Sequence, residues 1–399
     1  MKKLLVLAAG ILQVPVIRKA KDLGFYVIAA DGNPDAVGLH MADKAVVANI
    51  TSEDEMLCIA VQENIDGVIH PCSEVSMNVM GRINDEMHLH GISKEVAIRA
   101  TNKHQMRKAF EEYGAPSPKS YVTVSADAAW DVFCEIFVTD AILKPSRNSG
   151  SRGIAKVTRG IDKASFIKLY ERAYKESRDY SVLIEEFIEG PEFSVEIIIW
   201  NGVPHILAVT DKLTTGAPYF VELGHNQPSV YPKDIVISLK EAAIKGVKAL
   251  GLDYCAAHAE LKIQNGKAYL MEIGARLGGD FISTELVHLS TGIDMVAAAV
   301  NVSLGIQPDL VPKENQKGAC IRYFTPDSGK LTGIENTDIL NDPHVYAADI
   351  YVKEGDDIPE VKSSLDRSGH VIVTEESAES AIAFADNIID SIKFNISSR

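Results

Sequence analysis

The chain has 399 residues, 46% hydrophobic and 24% charged, enough for several soluble cores and too many for one compact domain. A formal net charge of −15 leaves no basic surplus to displace counterions from phosphates, which argues against nonspecific binding to nucleic acid or anionic membranes. Five scattered cysteines (Cys58, Cys72, Cys134, Cys255, Cys320) lack Cys-x-x-Cys spacing and fit a reducing compartment, so the cytoplasm is the expected location.

The first residues, MKKLLVLAAGILQVPVI, outwardly resemble a signal peptide, but Gln13, Pro15, Arg18 and Lys19 follow in a strand, turn, helix pattern. No run of about twenty apolar residues offers a membrane span. Residues 3–9 read as a buried strand, 10–24 as a helix, 26–30 as a second strand and 66–71 as a further short strand. Strands alternating with helices imply a parallel, doubly wound half-domain over residues 1–97, with ligands beyond the carboxyl ends of its strands. Gly10 is the lone glycine after the first strand, so a dinucleotide pyrophosphate lacks its usual close backbone approach.

Residues 98–190 then read as a small lid module: strand, helix, strand (AILKP), a glycine-rich loop, strand (IAKVTR), helix and strand (SVLIEEFI). Lys144 ends an apolar strand and opens Lys-Pro-Ser-Arg-Asn-Ser-Gly-Ser-Arg-Gly, whose Ser149, Gly150, Ser151 and Gly153 suit a loop that folds over an anion through backbone N–H groups. An ordinary mobile turn has the same composition. Glu185, Glu186 and Ile188 lie on the strand leaving this module, where an extended edge can offer alternating C=O and N–H groups to an adenine ring, and Glu192 follows within reach of ribose hydroxyls.

Residues 191–315 contain the most informative stretch, HAELKI (258–263) and AYLMEIGAR (268–276), joined by Gln264-Asn265-Gly266-Lys267. Apolar Leu261, Ile263, Tyr269, Met271 and Ile273 are odd-numbered while Glu260, Lys262 and Glu272 are even, so period-two alternation gives each strand one greasy and one polar face. A two-residue loop at Asn265-Gly266 would pair odd with even and separate the glutamates. A three-residue loop with left-handed Gly266 is therefore expected, putting Glu260 and Glu272 on one face as oxygen ligands for Mg²⁺. Two solvated glutamates sharing a strand face are the plain alternative. Arg276, followed by Leu277-Gly278-Gly279-Asp280, sets a guanidinium fork beside a flexible turn, where it could hold an anion bidentately. His225 could orient a phosphate or act as a base, Glu74 could bind a substrate ammonium after a strand end, and Lys212 is a weaker substrate candidate. Cys72 has no activating partner beside it. Residues 316–399 return to short strands and a helix near 378–392.

The ordered set Lys103, Lys144, the glycine-rich loop, Glu185 to Ile188, Glu192, Glu260, Glu272 and Arg276 resembles the ATP-grasp superfamily over almost the whole chain. The resemblance implies an α/β fold with an α+β lid, an N-terminal half-Rossmann (pre-ATP-grasp) domain and a C-terminal α/β domain. It also implies ATP as co-substrate and Mg²⁺, with Mn²⁺ as a substitute. Carried over, Lys103 and Lys144 are phosphate lysines, Glu186 and Ile188 backbone adenine contacts, Glu192 the ribose ligand, and Glu260 and Glu272 the metal ligands. Gly274 departs from the pattern, since many members have Asn there; Glu222 is the candidate replacement. The segments around Glu222 and Glu272 are most similar to L-amino-acid (dipeptide) ligases. That likeness implies small-molecule carboxylate and amine substrates, an acyl-phosphate route in which Arg276, Glu222 and His225 act, substrate contacts from Glu74, Lys212, Gly278 and Gly279, and a possible homodimer. Biotin-carboxylase, carbamoyl-phosphate-synthetase and purine-pathway types share the nucleotide residues and stay open, as does a non-catalytic nucleotide-binding regulator.

Overall fold

The computed structural model describes residues 1–147, 153–313 and 316–397. Near the N-terminus, strands Lys3–Leu7, Tyr26–Asp31, Lys44–Val47 and Gly67–Ile69 form one parallel sheet, with the first strand between the second and the fourth. Leu4, Leu5, Val6 and Leu7 are wholly buried, as a parallel strand covered on both faces requires. The chain between Ile69 and helix Met77–Met87 runs past the end of this sheet and carries Glu74.

The lid is a four-stranded antiparallel sheet ordered Ser120–Thr123, Val182–Glu186, Ala141–Pro145, Ala155–Val157, covered by helices Ala126–Glu135 and Lys163–Glu176. Its core is its own: Phe133, Phe166, Tyr170, Val182 and Ile184 pack together, with Phe133 and Phe166 stacked. Helix Lys103–Tyr113 leads into the lid. The Asn102 side chain caps it by accepting from Gln105 N, which places Lys103 at the first helical position.

The body is an eight-stranded antiparallel sheet ordered Lys267–Gly274, Cys255–Gln264, Glu192–Trp200, Val203–Thr214, Glu222–Gln227, Gly318–Tyr323, Gly369–Glu375, Val345–Ile350. This sheet takes strands from both sides of the boundary expected between residues 315 and 316. Strand Gly318–Tyr323 pairs directly with Glu222–Gln227, so the C-terminal residues extend the sheet that carries the site. Helix Lys233–Leu250 packs on the sheet through Leu239, Ala243, Val247 and Leu250. Gly246 lies so close to the sheet that a Cβ there would meet Ile273 Cδ1 at 2.5 Å. A small three-stranded sheet, Asp357–Ile358, Gly329–Glu335 and Lys393–Ser397, completes the C-terminal region. Among the described residues no single helix is long and apolar enough to cross a membrane.

Candidate active site

The hairpin turn differs from the sequence expectation, yet the two glutamates still face each other. Gln264 pairs with Lys267, so the loop is the two-residue Asn265-Gly266, and both residues have positive φ (52° and 74°) as a type I′ turn demands. Next to this turn, odd positions oppose even ones: Ile263 opposes Ala268 and Leu261 opposes Leu270. The register then shifts between Glu260 and Leu261 to absorb one extra residue, Met271, and Glu260 opposes Glu272. Ala268, Leu270 and Ile273 therefore hold the core face, while Tyr269 and Met271, expected there, do not. The bulge also has an anchor, because the Met271 carbonyl accepts from Arg107 Nη2 at 2.7 Å.

A cleft of about 300 Å³ opens over this polar face, between the N-terminal sheet, the lid and the body. Its lining gathers Glu74, Lys103, Lys144, Lys212, Glu222, His225, Glu260, Glu272, Arg276 and Gly279 from the sequence expectation. Charges meet in pairs: Lys103 Nζ lies 3.0 Å from Glu272 Oε1, Lys212 Nζ 3.4 Å from Glu260 Oε1 and 3.8 Å from Glu222 Oε1, and Arg276 Nη2 3.5 Å from Glu74 Oε1. The Lys212 ammonium holds the Glu260 carboxyl well below the usual range. Burial and the nearby Glu272 charge push Glu74 up. Lys103 stays charged: burial opposes the ammonium, but Glu272 and Glu74 raise its pKa overall. Arg276 Nε is a buried donor with no hydrogen-bond partner, which suits an anion arriving in the cleft. Two opposed carboxylates likewise suit a divalent cation shared with phosphates. Among the described residues no group of three or more His, Cys, Asp or Glu side chains is placed to hold a metal ion.

Beneath the cleft, Glu185 is fully buried and bound by two cations through three contacts. Arg107 Nε and Nη2 donate to its two oxygens at 2.7 and 3.2 Å, and Lys144 Nζ lies 3.0 Å away. Burial would raise its pKa, but Arg107 and Lys144 hold it at about 2. The Glu185 side chain thus aims Lys144 at the cleft. Glu186 ends the strand that leaves the lid and Ile188, expected on it, lies just beyond; the N–H groups of Glu186 and Phe187 donate to the Lys119 and Asp140 carbonyls. Glu192 lies outside the cleft lining and pairs with Lys262 at 3.0 Å. Gly153 has φ of 75°, and a Cβ there would meet Glu176 and Pro145 at under 3 Å, so glycine is needed at the loop's exit. Ser149, Gly150 and Ser151 lie outside the described residues.

Sequence reasoning passed over a second buried network. His258 Nδ1 sits 2.6 Å from Glu196 Oε1, and Ser283 Oγ donates to Glu196 Oε2 at 3.0 Å and accepts from Gly278 N at 2.7 Å. Burial alone would lower the His258 pKa, but the Glu196 carboxylate holds it at about 9. Gly278 lies against this pair rather than in the cleft lining. Position 258 is even-numbered like 260, so strand parity already placed it on the glutamates' face.

The C-terminal residues close the far wall. Arg367 Nη1 and Nη2 each donate to Asp280 at 2.9 Å, and its guanidinium lies 3.6 Å over the Tyr323 ring. Ser364 Oγ donates to Glu222 Oε2 at 3.0 Å. Asp280 and Phe281 are consecutive non-glycine residues with positive φ (51° and 61°), a strained turn that Arg367 and the stacked His370 ring hold in place. His225 Nε2 faces Asp280 Oδ2 at 3.5 Å, and burial lowers the pKa of its imidazole. Nothing local in the sequence ties Asp280 to Arg367, 87 positions on.

Comparison with known families finds an ATP-grasp domain at the centre of this fold. Residues 137–285 match the ATP-grasp domain model and residues 322–397 the L-amino acid ligase C-terminal domain 2. The chain thus contains an ATP-grasp domain and a C-terminal domain that matches that of the L-amino acid ligases. It is 26% identical over 299 residues to the alanine–anticapsin ligase of Bacillus subtilis (strain 168), covering 68% of this chain and 61% of that one. The crystal structure of L-amino acid ligase from Bacillus licheniformis superposes with a TM-score of 0.82 at 20% identity, covering 100% of this chain and 99% of that one. Phosphoribosylglycinamide synthetase from Anaerococcus prevotii superposes with a TM-score of 0.79 at 25% identity, covering 99% of this chain and 100% of that one. The chain spans about two thirds or less of the length of the curated relatives it matches.

Proposed function

We propose that the protein is an ATP-dependent carboxylate–amine ligase that joins amino-acid substrates into an amide, producing ADP and phosphate through an acyl phosphate. The observation that carries this reading is the convergence of opposed Glu260 and Glu272 with Lys103, Lys144, Arg276 and Glu74 in one cleft. Lys103 and Lys144 would hold nucleotide phosphates, the Glu186 carbonyl and Ile188 amide would address adenine, and Glu192 the ribose. Glu260 and Glu272 fit Mg²⁺, which when bound neutralises phosphate charge and aligns the transferring group. Glu74 would bind the ammonium of the carboxylate-bearing substrate, and Arg276 with the Gly279 amide would stabilise oxyanions as the carboxylate takes up the γ-phosphoryl group. Glu222 and His225 lie where the incoming amine must approach; the neutral imidazole suits proton transfer there. An acyl phosphate formed between the lid and the C-terminal wall would need shielding from water. The amino-acid reading over the carboxylase and purine alternatives is supported by the match at residues 322–397, since fold likeness alone is nearly equal for both.

The test is phosphate release from MgATP against a panel of amino-acid pairs, with bicarbonate and phosphoribosyl substrates in parallel. Release that needs two amino acids and falls at least a hundredfold in Glu272→Ala is the expected result. Stimulation by bicarbonate or a phosphoribosyl compound alone would replace the amino-acid assignment, and ATP binding without any turnover would favour a regulator.

A further inference from the structure

The cleft has room for part of what the proposed reaction needs. Its volume of about 300 Å³ must take nucleotide phosphates and the carboxylate-bearing substrate, so the amine substrate has to approach from a neighbouring space. One neighbour shares Arg276 with the cleft but holds about 30 Å³, room for water rather than an amino acid. Another shares Ile154, Glu222 and Ser364 with it and holds about 400 Å³, the size of a small-molecule site.

Three parts of the molecule build this side cavity. The lid helix Lys163–Glu176 supplies Arg172 and Glu176, the turn before strand Glu222–Gln227 supplies Tyr219 and Phe220, and the C-terminal segment supplies Lys362 and Ser364. The aromatic wall is held by its own backbone. Phe220 N–H donates to the Gly216 carbonyl at 2.8 Å, Thr215 N–H to the Val221 carbonyl at 2.9 Å, and Val221 N–H to Thr215 Oγ1 at 3.1 Å. Such a pre-formed wall costs an arriving ligand little ordering. The charges divide by position. Glu222 stands where the cavity meets the cleft, and its Oε2 accepts from Ser364. Lys362 is paired with Glu360 at 2.8 Å, and Glu176 has a partner of its own. Arg172 makes no ion pair or side-chain hydrogen bond among the described residues. A guanidinium on a cavity wall without a protein partner is open to a carboxylate, which it can hold bidentately. A carboxylate at the cleft end and an open guanidinium at the lid wall match the polarity of an amino acid entering ammonium first, whereas ammonia or a simple amine would leave Arg172 without a task.

We propose that this side cavity is the subsite of the amine substrate, an amino acid or short peptide that sets its amino group toward Glu222, an apolar side chain against Tyr219 and Phe220, and its free carboxylate on Arg172. The cavity then selects amines that carry a carboxylate. Because Arg172 rides on the lid and Ser364 on the C-terminal segment, the subsite is complete only where those two parts meet. The proposal rests on the ligase reading above, and its test separates the two.

The experiment measures initial rates of amide formation by the full-length protein at saturating MgATP and acyl donor, with the amine substrate varied as the free amino acid and as its carboxamide, which cannot serve as acyl donor. In wild type the carboxamide should show a KM about tenfold higher than the free acid, the loss of one charged hydrogen bond. Arg172→Gln should raise the KM for the free acid by the same factor and leave that for the carboxamide unchanged, so the two losses are not additive. The KM values for ATP and for the acyl donor should stay within about twofold of wild type, a split that a general structural defect would not produce. Equal KM values for acid and carboxamide in wild type, or an Arg172→Gln effect of the same size on both, overturn the inference and leave the ligase standing. Absence of any amino-acid-dependent phosphate release in wild type removes both. The comparison of acid with carboxamide in wild type needs no variant to fold.

Discussion

At the scale of single residues, the cleft rests on a buried cluster of charges. Glu185 illustrates the logic: Arg107 and Lys144 together more than offset the cost of burying its carboxylate. Removing one partner should be severe, so Arg107→Leu is expected to destabilise the protein by about 3–5 kcal/mol, read by chemical denaturation. The pH dependence follows from the same group. Its pKa falls from 4.5 in the unfolded chain to about 2 in the folded one, so its stabilisation is fully present above pH 4.5 and is lost as pH falls toward 2. Stability measured across that window should drop more steeply for wild type than for Glu185→Gln; parallel slopes would contradict this account. Lys144 was legible from its place before the glycine-rich loop. The role of Arg107 was not, because a lone arginine on a helix carries no pattern until the helix is docked.

At the scale of elements, the metal hairpin shows what strand alternation can and cannot tell. Parity required Glu260 and Glu272 to share a face, and they do, but it offered a longer turn as the means. The chain instead keeps the tight Asn265-Gly266 turn and corrects the register with a bulge at Met271, a device that alternation cannot distinguish from an added loop residue. The same limit explains Tyr269 and Met271, assigned to the core face by counting through a ladder that skips. Strand and helix spans elsewhere were read closely, including the lid strand Ala141–Pro145 and the helix Ala378–Ser391. The turn itself is testable. Gly266 has φ of 74° with open space around its Cβ position, so Gly266→Ala should cost about 1–2 kcal/mol through backbone strain alone. Thermal unfolding should record the loss while nucleotide affinity stays at the wild-type value.

At the scale of the whole molecule, the far wall of the cleft belongs to residues after 320. Arg367 braces the strained Asp280-Phe281 turn that follows Arg276 and Gly279, and Ser364 holds Glu222. Arg367→Ala should therefore raise the KM for amino-acid substrates about tenfold, equivalent to losing roughly one charged hydrogen bond, with ATP affinity unchanged. Initial-rate measurements with each substrate varied in turn will show whether the effect divides that way. None of this wall was legible in sequence, since its contacts join segments that only the folded sheet brings together. The continuity of that sheet has one more consequence. A chain ended at residue 315 would keep every residue of the hairpin but lose the neighbour of strand Glu222–Gln227, baring a ladder of unsatisfied amides and carbonyls beside apolar Ile282 and Leu286. Such a fragment should stick to its own copies and scatter light at concentrations where the full chain stays dispersed, so the last eighty residues double as a guard against self-association.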